Sequence, residues 1–161
     1  MPRKHRIEYL GAVYHVLSRG NDRKELFLKQ KTGEAFERFE RCLFEAVDRC
    51  GWKLHAYVIV SNHFHLVLET PEPNLAVGMK WLQSTFATRV NRLRKERGHV
   101  FQGRYKLILI GSDRPLLGLV DYVHLIPVRA GSCPLSEQGH FIWQTVGHVP
   151  CWSPAFRRFW S

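Results

Sequence analysis

The stretch over residues 58–69 limits the fold more than any other part of the chain. Its letters, VIVSNHFHLVLE, are typical of a strand end, a tight polar turn and a second strand. In an extended segment, residues two apart share a face of the sheet. One face of the second strand therefore carries His63, His65, Val67 and Glu69, and the face that we predict to meet the core carries Phe64, Leu66 and Leu68.

Two imidazoles lie side by side at the start of this second strand. His63 and His65 can hold one divalent metal ion, because the neutral imidazole nitrogen is a common metal donor. A His-x-His pair also arises by chance in a chain with nine histidines. The spacing alone therefore leaves both a metal site and a chance pair open.

The remaining apolar periodicity predicts an α+β fold. The predicted elements are a strand over 12–18, a helix over 32–50, strands over 52–60 and 63–69, a helix from 74 to 98, a strand over 104–110 and a helix from 112 or 113 to about 126. Thr32 and Asn74 are the predicted N-caps, while Gly98 and Pro127 are the predicted stops of the last two helices. The order βαββαβ plus a further helix is the ferredoxin-like plan, with helices packed on an antiparallel sheet. The pattern weakens beyond Gly131, so we predict one domain over 1–131 and a packed tail over 132–161.

The charge balance favours a nucleic-acid partner. The chain has 24 Lys and Arg against 14 Asp and Glu, a net charge of +10 and a pI near 9.8. Anionic lipid is a weaker alternative, because the basic residues are spread over several elements rather than massed on one helix. The sequence has no signal peptide, no membrane-spanning apolar run and no C-x-x-C pair, so we expect a cytoplasmic protein with free thiols, associated with the nucleoid through DNA.

Basic residues are dense between positions 89 and 106, with Phe101 and Tyr105 among them. Cations beside aromatic rings suit phosphate contact combined with base stacking on single-stranded nucleic acid. A solvated helix end is the alternative. The predicted DNA-binding residues here are Arg89, Arg92, Arg94, Lys95, Arg104, Tyr105 and Lys106.

The last predicted helix carries Tyr122. A phenol is a poor nucleophile at neutral pH, but it can attack a phosphodiester when a metal ion polarises the phosphate. In such a site the histidine pair would hold the metal ion, and Tyr122 would attack the phosphodiester. The alternative is that Tyr122 is a half-buried packing residue.

Four sequence blocks together resemble a known family. They are HVLSRGN from position 15, YVIVSNHFHL from position 57, FQGRYK from position 101 and YVHLIPVRAG from position 122. In this order they resemble the single-tyrosine HUH transposases of the IS200-like superfamily, and most of all their REP-associated branch. The resemblance covers residues 1–131.

The resemblance implies the site and its chemistry. It implies a ferredoxin-like HUH fold, Mg²⁺ or Mn²⁺ on His63 and His65, and nicking and strand transfer of single-stranded DNA beside a hairpin. Tyr122 would form a 5′-phosphotyrosine and leave a free 3′-OH. Within the matching blocks, Arg19, Asn21 and Arg129 become further expected DNA contacts. Relatives act as monomers or homodimers.

One position departs from the family pattern. Relatives read Asn-Pro-Val-Arg where this chain has Ile126 first, and that Asn supplies a third metal ligand. His124 points roughly 200° away from Tyr122 on the helix, and Glu69 lies about 13–14 Å along the strand from His65, so we expect water to replace the ligand. An Ile126→Asn change should then raise metal affinity.

Three functions are alternatives to DNA nicking and strand transfer. A catalytically impaired, domesticated hairpin-DNA-binding protein would keep the fold and lose the chemistry. An RNA-recognition module would carry a K/R-G-F/Y-G/A-F-V-x-F/Y block, and a two-histidine phosphoesterase would carry two H-x-T/S motifs. The sequence contains neither pattern.

Overall fold

The computed structural model describes residues 6–23, 26–27, 34–111 and 116–129. These residues form β1 (Ala12–Arg19), a short 3-10 turn (Asn21–Arg23), α1 (Glu34–Cys50), β2 (Lys53–Val60), β3 (His63–Thr70), α2 (Leu75–Arg94), β4 (Lys106–Ile110) and α3 (Leu116–Arg129). The order confirms the predicted α+β plan. The proposed cap Thr32 and the predicted tail over 132–161 lie outside the described residues.

The four strands form one antiparallel sheet in the order β2-β3-β1-β4. In the pairing of β1 with β3, Ala12 lies opposite Thr70 and Arg19 lies opposite His63. β2 and β3 form a hairpin whose last pair is Val60 with His63. β3 therefore lies between β1 and β2, the split βαβ arrangement of the ferredoxin-like plan.

One face of the sheet is covered by α1 and α2. The alternation in β3 sends Phe64, Leu66 and Leu68 into this layer, as predicted. The ring centroids of Phe39 on α1 and Phe64 lie 4.6 Å apart. Each such fully buried side chain stabilises the fold by about 1.5–3 kcal/mol, so this layer is the main core.

The contact between α2 and the end of α1 depends on Gly78. A Cβ atom at Gly78 would overlap the Trp52 ring and would come within 2.7 Å of the Cys50 Sγ. Asn74 holds the same ring in place, because its Oδ1 accepts from the Trp52 indole at 2.7 Å and its Nδ2 donates to the Cys50 carbonyl at 2.9 Å. Asn74 occupies the N-cap position, but its side chain makes no cap hydrogen bond.

The opposite face of the sheet is partly covered by α3, which packs mainly on β2 and also on β3. A second apolar cluster joins them, formed by Ala56, Val58, Val60, Val67, Val123 and Ile126. β2 is therefore buried on both faces at its C-terminal half, whereas β1 and the start of β3 have polar side chains on the α3 side. In the described part of the chain, no helix is long and apolar enough to cross a membrane.

Two predicted helix ends were wrong. α2 stops at Arg94 rather than Gly98, because Lys95 adopts the left-handed conformation (φ 54°) and its amide bonds the Arg92 carbonyl. α3 continues past Pro127 to Arg129. A proline this close to a helix end removes one amide donor without preventing the last residues from keeping helical geometry.

Two predicted strand starts were also slightly early. β2 begins at Lys53 rather than at 52, and β4 begins at Lys106 rather than at 104. Trp52 and Tyr105 turn into the main core just before these strands, so neither residue belongs to the sheet ladder.

Candidate active site

The histidine pair lies at the point where β3 begins. His63 is the first residue of the strand and is paired on both sides, with Arg19 of β1 and with Val60 of β2. His65 follows on the same face and is 9% exposed. The two ring centroids are 5.1 Å apart with the ring planes at 71°. Pairing on both sides holds the two Cα atoms rigidly, so the imidazoles are presented together by the sheet.

Each imidazole uses its Nδ1 atom for a hydrogen bond within the protein. His63 Nδ1 lies 2.6 Å from Asn62 Oδ1, and His65 Nδ1 lies 2.9 Å from His15 Nε2. Within the described ranges no hydrogen bond engages the Nε2 atom of either ring, which leaves it for an external partner. Metal-binding histidines typically bond their second ring nitrogen in this way, so the pair fits a divalent cation.

Burial keeps these histidines neutral. Desolvation lowers the pKa of His65 to about 3, with smaller contributions from His15, His63 and Arg19. Desolvation also lowers the pKa of His63, to which the Arg19 guanidinium adds, and lowers the pKa of His15. A neutral imidazole offers its lone pair, so metal binding here needs no proton to be removed at neutral pH.

Tyr122 lies on the α3 side of the sheet beside these histidines. Its ring meets the His15 ring edge-on, with the centroids 6.4 Å apart, and His15 in turn stacks on His65 at 5.2 Å. Tyr122 is 42% exposed, so its side chain is accessible from the surface. The Arg129 guanidinium lies 5.1 Å from the centre of the Tyr122 ring, one further cation at this position.

The described residues contain no cluster of three or more His, Cys, Asp and Glu side chains placed to hold a metal. Ile126, the position at which the resemblance implied a third ligand, is 8% exposed and belongs to the apolar cluster under α3. The Glu69 carboxylate is occupied at the far end of β3, where the Lys53 ammonium lies at 2.8 Å and the His55 imidazole at 3.4 Å. The two histidines therefore have no evident third side-chain ligand among the described residues.

Part of the predicted DNA-binding segment lines a groove of about 1080 Å³ between α2 and the loop over 98–105. Its walls include Asn21, Arg104 and Tyr105 from the prediction, together with Arg6, Lys80 and Phe101. The Arg6 guanidinium stacks 3.3 Å above the Tyr105 ring. The Tyr105 hydroxyl is buried and has no hydrogen-bond partner among the residues that the structure describes. The groove thus offers cations for phosphate contact, but the Tyr105 ring is 7% exposed and is covered by Arg6, so it is not open to a stacked base.

The other predicted DNA-binding cations differ in whether a group of the protein already binds them. Both terminal nitrogens of Arg89 bind the Glu45 carboxylate, at 2.8 and 2.9 Å, and tie α2 to α1. Arg94 donates to the Leu26 carbonyl. The exposed members of the predicted set are Arg19, Arg92, Lys95, Arg104, Lys106 and Arg129.

Sequence reasoning missed two side chains of this site. His15 and Asn62 both bond a histidine of the pair, and neither was singled out from the sequence. The alternation of β1 does indicate that His15 lies on the face opposite Tyr14 and Val16, which are core residues. Its partner depends on the register between β1 and β3, which no local pattern encodes.

Comparison with known proteins decides the family. The family model described as transposase IS200 like matches residues 9–125. The chain belongs to the IS200-like transposases. Among curated proteins, this transposase is similar to a Haemophilus influenzae protein assigned to the REP-associated tyrosine transposases, with 24% identity over 132 residues, covering 75% of this chain and 73% of the relative.

Two solved structures share the fold of this IS200-like transposase. One is described as a REP-associated tyrosine transposase bound to a REP hairpin, with a TM-score of 0.66, 16% identity, and coverage of 81% of this chain and 75% of the other. A Deinococcus radiodurans R1 protein assigned as a transposase matches with a TM-score of 0.52, 18% identity, and coverage of 76% and 95%. The family and the fold read from the sequence blocks are thereby confirmed.

Proposed function

We propose that this IS200-like transposase nicks single-stranded DNA beside a hairpin and transfers the strand through a 5′-phosphotyrosine on Tyr122. The observation that carries the proposal is the chain of ring contacts from Tyr122 through His15 to His65, on the sheet face that also carries His63. The REP hairpin bound by a structure of the same fold supports hairpin DNA as the partner.

His63 and His65 would hold Mg²⁺ or Mn²⁺ through their Nε2 atoms. Their Nδ1 atoms already have partners in the protein, and burial keeps both rings neutral. When bound, such an ion polarises the scissile phosphate and offsets the charge that develops on it. With two imidazoles and no further protein ligand in the described residues, water would fill the remaining positions, and we expect weak binding.

Tyr122 supplies the nucleophile. Its hydroxyl oxygen bonds to phosphorus, the bond from phosphorus to the 3′ oxygen breaks, and the phenolic proton passes to solvent while the 3′ oxygen takes a proton. The 5′ end is left on the tyrosine as a phosphodiester. Because no phosphodiester bond is lost in this exchange, attack by another 3′-OH rejoins strands without ATP. The 42% exposure of Tyr122 allows both proton transfer to water and entry of the strand.

The groove lined by Asn21, Arg104 and Tyr105 is the proposed binding surface for the DNA flanking the reacting phosphate. The groove and the histidine pair both lie near the end of β1, because the amide of Gln102, which lines the groove, donates to the Arg19 carbonyl at 2.8 Å and Arg19 lies opposite His63. We propose that a strand in the groove, on the α2 side of the sheet, continues past Arg19 to the histidine pair on the α3 side. Arg89 is left out of this surface, since its guanidinium binds Glu45.

A single chain carries the whole proposed site. α3 packs on β2 and β3 of its own sheet through Val123 and Ile126, and this packing brings Tyr122 to the His15 ring.

A hairpin-binding protein without chemistry is the second candidate. The burial of Ile126 in the apolar cluster favours it, because the position of the usual third ligand is given to packing. Hairpin binding that persists in EDTA, with no covalent adduct in either metal, would establish this candidate in place of the nickase.

The deciding experiment is a covalent-adduct assay. The protein is incubated with single-stranded hairpin DNA and Mn²⁺ or Mg²⁺, and the adduct is detected on a denaturing gel. Tyr122→Phe should remove the adduct, and EDTA should do the same. Tyr9→Phe is the matched control, because Tyr9 has a similar exposure of 46% and lies in the segment before β1. An adduct that survives Tyr122→Phe would refute the proposal.

A further inference from the structure

His15 is the least exposed of the three histidines at the site. It lies on β1 between β3 and β4, with Val67 and Ile108 opposite its Cα atom, and only 5% of its surface is exposed. Its Nε2 atom lies 2.9 Å from Nδ1 of His65, and the two rings are stacked at 25°. A buried polar contact of this length must hold one proton between the two nitrogens.

The position of that proton determines what His65 can do. If His65 Nδ1 carries it, the lone pair of His65 lies on Nε2, the atom left for a metal ion. If His15 Nε2 carries it, His65 Nδ1 is the acceptor, and a neutral His65 then has its proton on Nε2 and no lone pair there. Two neutral imidazoles thus have one arrangement that can bind a metal ion and one that cannot.

We propose that His15 is a positioning residue that accepts a hydrogen bond from His65 Nδ1–H and so keeps the Nε2 lone pair of His65 available for the metal ion. This inference rests on the metal site proposed above. His63 has the equivalent partner in Asn62, whose Oδ1 can only accept a hydrogen bond. Each histidine of the pair therefore has its own acceptor, one from the turn and one from the neighbouring strand.

His15 itself is not placed to be the third ligand. Its Nε2 is directed at His65 Nδ1 rather than at the place where the two free Nε2 atoms could meet a common ion. Its ring edge also contacts Tyr122 at 6.4 Å between centroids, so the same side chain lies between the metal ligand and the proposed nucleophile. The bond orients His65, and the ring supports Tyr122 from the side.

The variants separate a hydrogen-bonding role from a packing role. His15→Phe keeps an aromatic ring and removes the acceptor. His15→Gln keeps an acceptor, because its amide oxygen reaches about as far from the backbone as the Nε2 of histidine. Mn²⁺ affinity is measured by calorimetry on the full chain without DNA, and His65→Asn serves as the reference for loss of a ligand.

We expect His15→Phe to weaken Mn²⁺ binding by about 10–100-fold, the usual effect of removing a partner of a metal-binding histidine, and His15→Gln to recover most of it. Unchanged Mn²⁺ affinity in His15→Phe, with binding lost in His65→Asn, would overturn this inference and leave the metal site intact. Retained binding in His65→Asn would overturn both.

A second measurement needs no variant. Nitrogen-15 NMR of the metal-free protein at pH 7.5 reports which ring nitrogen of each histidine carries the proton. We expect His65 to be protonated on Nδ1. A His65 protonated on Nε2 would overturn the inference, even if His15→Phe did not fold.

Discussion

The two faces of the sheet differ in what they bury. The face under α1 and α2 contains a continuous aromatic and aliphatic core that includes Phe39, Phe64 and Phe86. The face under α3 has a smaller apolar cluster, and beside it lie three histidines: His65 bonds His15, and His63 bonds Asn62 of the neighbouring turn. Both faces are made from the same strands, since successive residues of β1 and β3 alternate between them.

The face under α1 and α2 provides most of the stability, and the face under α3 carries the groups proposed for the chemistry. Two helices exclude water from the first face, and dense apolar packing there contributes most of the free energy of folding. α3 covers mainly β2 and leaves His63, the first residue of β3, half-buried. Polar groups can therefore lie at the end of the inner strands of a rigid sheet, where burial keeps them neutral.

The largest expected effect is on the core face. Phe39→Ala should lower the free energy of unfolding by about 3–5 kcal/mol, because the side chain is fully buried among aromatic rings. His63→Ala on the other face should cost about 1 kcal/mol, the value of one partly buried hydrogen bond, while removing Mn²⁺ binding. Urea unfolding with a Mn²⁺ titration tests both, and equal losses of stability would break the contrast between the faces.

A substitution at Ile126 should affect both the stability of the fold and the binding of Mn²⁺. Ile126→Asn should lower the free energy of unfolding by about 3 kcal/mol, because it removes apolar volume and places an amide in an apolar cluster. Under the proposed function it should also raise Mn²⁺ affinity, because the amide oxygen would add a polar ligand on α3. Ile126→Val is the control, with a cost of about 0.5–1.5 kcal/mol and no change in the Mn²⁺ titration. A stable Ile126→Asn protein with unchanged Mn²⁺ binding would refute both parts.

The acid sensitivity of the protein should come largely from the α3 face. The folded protein holds His65 neutral with a pKa of about 3, whereas the unfolded chain takes up a proton near pH 6.5. The unfolded state then binds more protons below pH 6.5, so stability falls as pH decreases, by about 1.4 kcal/mol per pH unit. At pH 5 the loss from His65 is about 2 kcal/mol.

The control for this acid effect is His65→Asn. Urea unfolding of the metal-free protein between pH 7.5 and 5 should show a shallower pH slope in the variant than in the parent. His15 and His63 also have lowered pKa values, so a smaller slope in the same direction should remain. Identical slopes would show that His65 is not buried in neutral form.

The smallest expected effect separates structural cations from DNA-binding ones. Arg104→Gln, in the groove, should weaken hairpin binding by about 1 kcal/mol and reduce the slope of log affinity against log salt by about 1. Arg89→Gln should leave that slope unchanged, because Glu45 already holds its guanidinium. Fluorescence anisotropy in EDTA across a KCl series measures the affinity and the salt slope of both variants. An equal change of slope in the two variants would show that Arg89 also contacts DNA.

Much of the fold and part of the site could be predicted from the sequence. The alternation in β3 correctly assigned Phe64 to the core and His65 to the other face, because strand geometry is local. The element order predicted the ferredoxin-like plan. The helix ends at Gly98 and Pro127 were wrong, since the left-handed turn at Lys95 and the continued helix to Arg129 depend on the tertiary surroundings rather than on residue preference alone.

The sequence by itself determined the family, the order of the elements and the face on which the histidine pair lies. Only the tertiary structure decided the partners: His65 with His15, Arg89 with Glu45, and Ile126 with the apolar cluster. The physical reason is the separation along the sequence over which each kind of interaction acts. Periodicity and turn preference act over a few residues, whereas these contacts join positions 44 or more residues apart through strand register and helix packing.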